Sequence, residues 1–214
     1  ENRSEQVVGV AGEVLDDRSE RQRREEGEPA DDQDHADDEA DEQARWIEAV
    51  VDGPRPIRVC GLYLPNGNPI DTEKFPYKLK WLDALRDWVA TELAAHPQLA
   101  LLGDYNIAPE DRDVHDPVAW FGQIHCTPEE RAHFAGLLAL GLHDAFRLFE
   151  QPPKSWSWWD YRNLAFRRNQ GLRIDHILVS ETLRPAVTAC TIDKAPRKNE
   201  RPSDHAPVIV DYRV

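Results

Sequence analysis

In Leu99-Ala-Leu-Leu-Gly-Asp-Tyr-Asn-Ile-Ala-Pro109 an apolar run stops at a carboxylate, and an amide follows two positions later. A short apolar run of this kind, coming after a helix-like segment, reads as a buried strand with Asp104 and Asn106 at its carboxyl end. Side chains two apart on a strand share a face, so Asp104 and Asn106 can reach one substrate together. The carboxyl ends of strands are where open α/β sheets bind phosphates and metals. Asp and Asn also close turns routinely, and on this fragment alone the two readings stand level.

Working outward, Lys78 to His96 repeats Leu79, Leu82, Leu85, Val89 and Leu93 at helical spacing with Trp81 and Trp88 beside the stripe, and Pro97 ends it. Upstream, Arg45 to Asp52 and Ile57 to Leu64 read as two strands joined in a hairpin at Gly53-Pro54. Tyr63 then sits at a strand end, beside the turn run Pro65-Asn66-Gly67-Asn68-Pro69, where a phenol can donate to a phosphate. Downstream, Thr127-Pro128-Glu129-Glu130 has the form of a capped helix start, with the helix running through Leu140 and closed by Gly141. Asp144 and Arg147 are expected to make a local structural contact. Trp156-Ser-Trp-Trp-Asp-Tyr161 reads as an aromatic strand, with Trp156 and Trp158 on one face and Trp159 on the other. Asn163 to Gly171 is a basic loop, Leu172 to Ser180 a strand interrupted by Asp175 and His176, and Asp193 to Glu200 a second basic loop. Arg201 to Pro207 places polar residues directly before a last strand.

The formal charge of -14 is unevenly distributed. Residues 1–43 carry 17 acidic and 5 basic side chains, which leaves 23 acidic against 21 basic in residues 44–214. The first segment has the composition of a solvated or disordered tail. The near-neutral body is compatible with a basic groove and therefore with DNA. Cys60, Cys126 and Cys190 are widely spaced with no CxxC pair, so a reduced, cytoplasmic protein without a zinc site is expected. No apolar run is long enough to span a membrane.

Each polar interruption has a loop explanation. Together they supply two carboxylates with an amide (Asp104, Asn106, Asp204), a histidine with a carboxylate to orient it (His205, Asp175), and a strand-end tyrosine. Those are parts for metal-assisted attack of water on a phosphodiester: a hard cation takes carboxylate oxygens, and the developing charge takes metal, imidazolium, amide and phenol donors. Gly103-Asp-Tyr-Asn106, Ser157-Trp-Trp-Asp-Tyr-Arg162, Gly171-Leu-Arg-Ile-Asp175 and Ser203-Asp-His-Ala-Pro207, in this order, resemble the exodeoxyribonuclease III family of the exonuclease/endonuclease/phosphatase superfamily. Ile57 to Gly67 resembles it too, and the match extends from about residue 37 to the carboxyl end.

The resemblance implies an α/β fold, a four-layer sandwich of two mixed, mostly antiparallel sheets with helices outside. It implies a Mg²⁺-dependent (or Mn²⁺-dependent) DNA repair enzyme, monomeric, acting on double-stranded DNA as a 3′-to-5′ exonuclease and an abasic-site endonuclease. Asp104 would orient or deprotonate the attacking water and Asn106 would bind the scissile phosphate. Asp204 would help hold the metal, around which Asp104, Asn106 and His205 also gather. His205 would contact the phosphate, held in tautomer by Asp175, and Tyr63 would stabilise the transition state. Trp158, Leu172 and Ile174 would line a pocket for a flipped abasic sugar, and Arg167, Arg168 and the Asp193 to Glu200 loop would track the DNA backbone. Two alternatives remain: a superfamily phosphodiesterase acting on inositol phosphates or sphingomyelin, and a remnant that binds DNA without cutting it.

The pattern departs from the family at the amino end. The family's Phe-Asn-x-Asn strand and its Gln-Glu strand end, whose Glu is the principal metal ligand, have no counterpart here, and the sequence holds no Met. The expectation is that residues 44–214 represent the C-terminal two-thirds of the domain, with metal affinity and rate lowered accordingly.

Overall fold

The computed structural model describes residues 6–8 and 45–213. Two sheets are formed among them. The larger has five strands: β2 (Trp46–Val51), β3 (Ile57–Tyr63), β4 (Leu99–Asp104), β5 (Leu142–Asp144) and β6 (Asp175–Ser180), in the order β2-β3-β4-β6-β5. β3 and β4 run parallel and the other neighbours antiparallel, so the sheet is mixed. The smaller sheet is antiparallel, with β8 (Val208–Tyr212) between β1 (Gln6–Val8) and β7 (Val187–Ile192). The β2–β3 hairpin and the buried β4 are as the sequence predicts. Of the acidic tail expected over residues 1–43, Gln6–Val8 is this strand β1, and the remainder lies outside the described residues.

β4 is apolar throughout because it is covered on both faces. Leu99 and Leu101 pack with Leu82, Leu85, Val89, Phe134 and Leu137 of two outer helices, α1 (Lys74–Ala95) and, beyond the single turn α2 (Pro117–Trp120), α3 (Pro128–Ala139). Ala100 and Leu102 face the other way, joining Ile177, Val179, Cys190, Val208 and Val210 between the two sheets. The result is helices on one face of the mixed sheet and a second sheet on the other, the α/β sandwich expected. α1 starts at Lys74, four residues earlier than its apolar stripe, because Pro76 falls in the first turn, where a backbone N–H has no intrahelical acceptor. In α3 the capping box forms as read, Thr127 and Glu130 each accepting the other's backbone N–H.

Three expectations are corrected. Asp144 does not pair with Arg147: Asp144 binds buried Arg173 (2.8 Å), while Arg147 and Arg173 both bind Asp113. Trp156 to Tyr161 is not a strand of either sheet. It is wedged between Leu172 and His205, each of which makes a single bridge to Trp158. Trp156 and Trp159 consequently share one buried cluster, both indole N–H groups donating to Asn169, and Trp158 turns the other way. A Cβ at Gly171 would lie 2.5 Å from the Trp158 carbonyl oxygen, so only glycine allows this close passage. Finally, β6 starts at Asp175 rather than being interrupted there.

Candidate active site

Tyr63, Asp104 and Asp175 are direct partners in register across β3, β4 and β6, so one rung of the mixed sheet carries all three. The approach of β3 and β4 beside this rung depends on Gly103, whose φ is +140° and whose added Cβ would fall 1.9 Å from the Leu62 carbonyl oxygen.

β4 ends at Asp104, and Asn106 adopts a left-handed conformation (φ +51°) that asparagine tolerates. The turn and the pairing of the two candidate residues are one structure. Asp104 Oδ1 accepts the Asn106 backbone N–H (2.8 Å) and Oδ2 accepts from Asn106 Nδ2 (3.1 Å). The same Nδ2 also donates to the Leu64 carbonyl (2.9 Å), and Asn106 Oδ1 accepts from Asn66 (3.1 Å). Both amide hydrogens of Asn106 are thus engaged, so phosphate contact requires it to release one bond.

His205 Nδ1 lies 2.9 Å from Asp175 Oδ2 and donates to it, which leaves Nε2 for substrate. Asp175 is itself set by Ser157, whose buried hydroxyl accepts the backbone N–H groups of Ile174 and Asp175, both at 3.0 Å. Burial, and then the nearby Asp175 charge, push the Asp104 pKa up to about 7. Burial works against a charged His205, but the contacting Asp175 carboxylate, with Asp104 and Asp204 beyond it, outweighs burial and raises its pKa to about 10. His205 is therefore protonated at neutral pH.

Asp104, Asp175 and His205 bring ligand atoms to within 4.8 Å of one another. A carboxylate whose pKa is raised by burial and then by a second carboxylate beside it forms with that neighbour a donor set that a divalent cation relieves. Asp204 stands outside this trio, with Oδ2 accepting from Trp158 Nε1 (3.0 Å). Tyr63 is 39% exposed at the rung's end, with the Arg45 guanidinium 5.0 Å from its ring centre.

Trp158, Leu172 and Ile174 do come together, in a cluster with Ala108, Val114 and Cys126. Leu172 is 0% and Ile174 2% exposed, so Trp158 alone of the three presents surface. Arg167 and Arg168 are exposed on α4 (Ala165–Arg168). In the Asp193 to Glu200 loop, expected to face DNA, Arg197 instead turns inward. It is buried against the rings of Phe166, Tyr161 and Trp159, because those aromatics give its guanidinium a π-face where water is excluded.

Sequence reading missed Asn66, Lys78, His125, Glu130 and Ser157. One signal was present: Lys78 lies four residues before Leu82 on the apolar stripe, a charge in a core-facing position. Glu130 reads only as a helix cap, and Asn66, His125 and Ser157 sit in loops and turns, where pattern carries no information about partners. No helix among the described residues is long and apolar enough to cross a membrane.

Residues 29–205 match the model of the Endonuclease/Exonuclease/phosphatase family. The chain is similar to exodeoxyribonuclease III of Haemophilus influenzae, 36% identical over 165 residues, which are 73% of this chain and 62% of that protein. Among solved structures it is similar to a 3′ phosphatase from Neisseria bound to a product DNA hairpin (45% identity, TM-score 0.77, 80% of this chain and 66% of that one). It is also similar to an AP endonuclease from Archaeoglobus fulgidus (34% identity, TM-score 0.73, 79% and 65%). The chain thus spans somewhat less than two thirds of the relatives it matches. With the family model matched over most of the chain and two of the four ordered motifs meeting on one rung of the mixed sheet, the chain belongs to the endonuclease/exonuclease/phosphatase family.

Proposed function

We propose that this chain hydrolyses DNA phosphoesters at 3′ ends, as a Mg²⁺-dependent hydrolase of exodeoxyribonuclease III type, with residues 44–214 as its catalytic body. The observation that carries the reading is the convergence of Asp104, Asp175 and His205 within 4.8 Å at one sheet end. Asp104 and Asp175 would hold the cation, which when bound would supply charge against the developing phosphorane and lower the pKa of water. Asp104, with its pKa near 7, orients the attacking water and takes its proton. His205, protonated and held by Asp175, presents Nε2 to the phosphate, and Asn106 and Tyr63 donate from the adjoining strand ends. Asp204, tied to Trp158, acts at one remove from the cation. Arg167 and Arg168 contact the DNA backbone.

A second reading, incision at abasic sites, is favoured by the grouping of Trp158, Leu172 and Ile174. It is the weaker arm, because with Leu172 fully buried a flipped sugar has to displace side chains. The test is release of phosphate or nucleotides from duplexes with 3′-phosphate, 3′-hydroxyl and internal abasic ends, with Mg²⁺ and with chelator. Chelator-sensitive processing of the 3′ ends is expected. Hydrolysis of inositol phosphates or sphingomyelin with no action on DNA would overturn the reading, as would DNA binding without cleavage.

A further inference from the structure

Asn106 has every polar atom engaged, and two of its partners come from the helix layer behind the sheet. Its carbonyl oxygen accepts from Lys78 Nζ (2.8 Å), and from His125 Nδ1 (2.7 Å). Lys78 is wholly buried on α1, and the same ammonium donates to the Asn66 carbonyl (3.1 Å) and to Glu130 of α3. Asn66 and Asn106 are themselves joined through their side chains at 3.1 Å. A single buried cation therefore clamps the backbones of both asparagines whose amides meet at the site.

Glu130 holds this cation from the other side. Its Oε1 accepts from Lys78 and from the His125 backbone N–H (3.1 Å), and its Oε2 accepts from the Thr127 N–H (2.9 Å) and hydroxyl (2.8 Å). A helix start by itself explains only the Thr127 bonds: a capping box needs no lysine and works with glutamine. Burying an ammonium and a carboxylate together is costly in water-free surroundings, and an apolar pair of equal volume is often as stable. The remaining donors of Lys78 are spent on the Asn66 carbonyl and on that of Asn106, which holds a left-handed conformation (φ +51°).

We propose that the buried Lys78–Glu130 pair is a positioning device for the site: it locks Asn106 in its left-handed turn, and through the Asn106 N–H and Nδ2 bonds it sets the orientation of the Asp104 carboxylate. His125 completes the clamp from the neighbouring loop. Lys78 and Glu130 touch no reacting atom and act through Asn106. The inference rests on the reading of Asp104 and Asn106 as site residues, but its physical content, control of the Asn106 conformation, is measurable without catalysis.

The test uses the full chain with Lys78→Met, and with Lys78→Met/Glu130→Gln, which removes both charges so that no buried carboxylate is left alone. In a ¹⁵N–¹H spectrum the Asn106 side-chain amide pair is expected to shift in both variants while resonances of β4 and β6 stay in place. In turnover of a 3′-phosphorylated duplex, kcat is expected to fall on the order of 10²-fold with KM held within about threefold, as for a displaced reacting group. In an Asn106→Ala background, which keeps the backbone bonds and loses those of the side chain, Lys78→Met should then add clearly less than its full effect, because part of its action runs through Nδ2. Unmoved Asn106 resonances overturn the proposal, and so does a full Lys78→Met effect in the Asn106→Ala background. Loss of the folded spectrum in both variants also overturns it, since the pair would then serve the fold as a whole. If the wild-type chain processes no DNA, the functional reading fails and the resonances alone decide the clamp.

Discussion

The two halves of the site are held by different means. Tyr63, Asp104 and Asp175 stand on adjacent strands at one rung, fixed by a backbone ladder and, at Asn106, by buried charges behind it. Trp158, Asp204 and His205 stand on segments outside both sheets, tied by a few backbone hydrogen bonds and isolated bridges and by individual side chains: Trp158 on Asp204, and Arg197 among three aromatic rings. A ladder is indifferent to most side-chain changes, whereas a loop fixed by a few contacts is not. Substitutions in the strand half should therefore alter chemistry with the fold intact, and those in the loop half should reach chemistry by letting the loop move.

The contrast is sharpest at Asp104. Asp104→Asn should lower kcat on the order of 10³-fold, within the range for loss of a proton-handling group, while the melting temperature stays level or rises. Its carboxylate is desolvated, with pKa pushed up to about 7, so the fold loses an unfavourable charge when it goes. Near-normal turnover by this variant would remove the strand half from the mechanism.

Asp175 joins the halves, since it lies on β6 and orients His205. Asp175→Asn should cost about 10²-fold in kcat, and the His205 pKa, raised to about 10 chiefly against burial by Asp175, should fall steeply in an NMR titration. An unchanged His205 pKa would show that the pairing does not govern the ring.

Acid stability of the chelated protein separates the halves by a third route. His125 and His176 have pKa values lowered to about 3, first by burial and then by the adjacent charges of Lys78 and Arg173. His176 is neutral by geometry, accepting from Arg173 at Nδ1 (2.9 Å) and donating from Nε2 to the Ile107 carbonyl (2.8 Å). Unfolded histidine takes up a proton near pH 6.5, so below that pH the unfolded state binds more protons and stability falls with pH. Asp104 opposes this, because its raised pKa lets the folded state bind a proton first and so gain stability as pH falls through about 7. Between pH 6.5 and 5.5 the two histidines should cost on the order of 2 kcal/mol, with Asp104 offsetting roughly half. Asp104→Asn should accordingly steepen the acid loss in chemical denaturation, and an unchanged slope would refute the assignment of these protons.

The smallest effect belongs to the loop half alone. Arg197→Ala removes the cation from the Phe166, Tyr161 and Trp159 rings and should cost about 1 kcal/mol of stability. Faster amide exchange confined to residues 193–205 is the expected accompaniment, and uniform exchange would show that Arg197 does not hold that loop.

Much of this was legible in the chain. The apolar run of β4, the α1 stripe, the Thr127 capping box and the β2–β3 hairpin follow from period and turn chemistry, which act over a few residues. The sequence marks Asp104, Asp175 and His205 as candidates because their motifs place polar residues beside apolar runs, and the fold brings the three together. The aromatic segment was misread because three indoles in four residues do not say which face each takes; the passage over Gly171 and the bonds to Asn169 decide it. Asp144 and Arg147, close in sequence, separate because Asp113 and Arg173 offer buried partners from elsewhere.

The sequence by itself determined β2, β3, β4, the two long helices and the last strand, the end of β4 as the place where polar groups emerge, and the family. Only the tertiary structure decided that Tyr63, Asp104 and Asp175 share a rung, that both asparagines are clamped from behind by Lys78, and that Arg197 points inward. The reason is range: periodicity and capping are set by near neighbours along the chain, while register and the partner of a buried charge are set by residues brought together only when the layers pack.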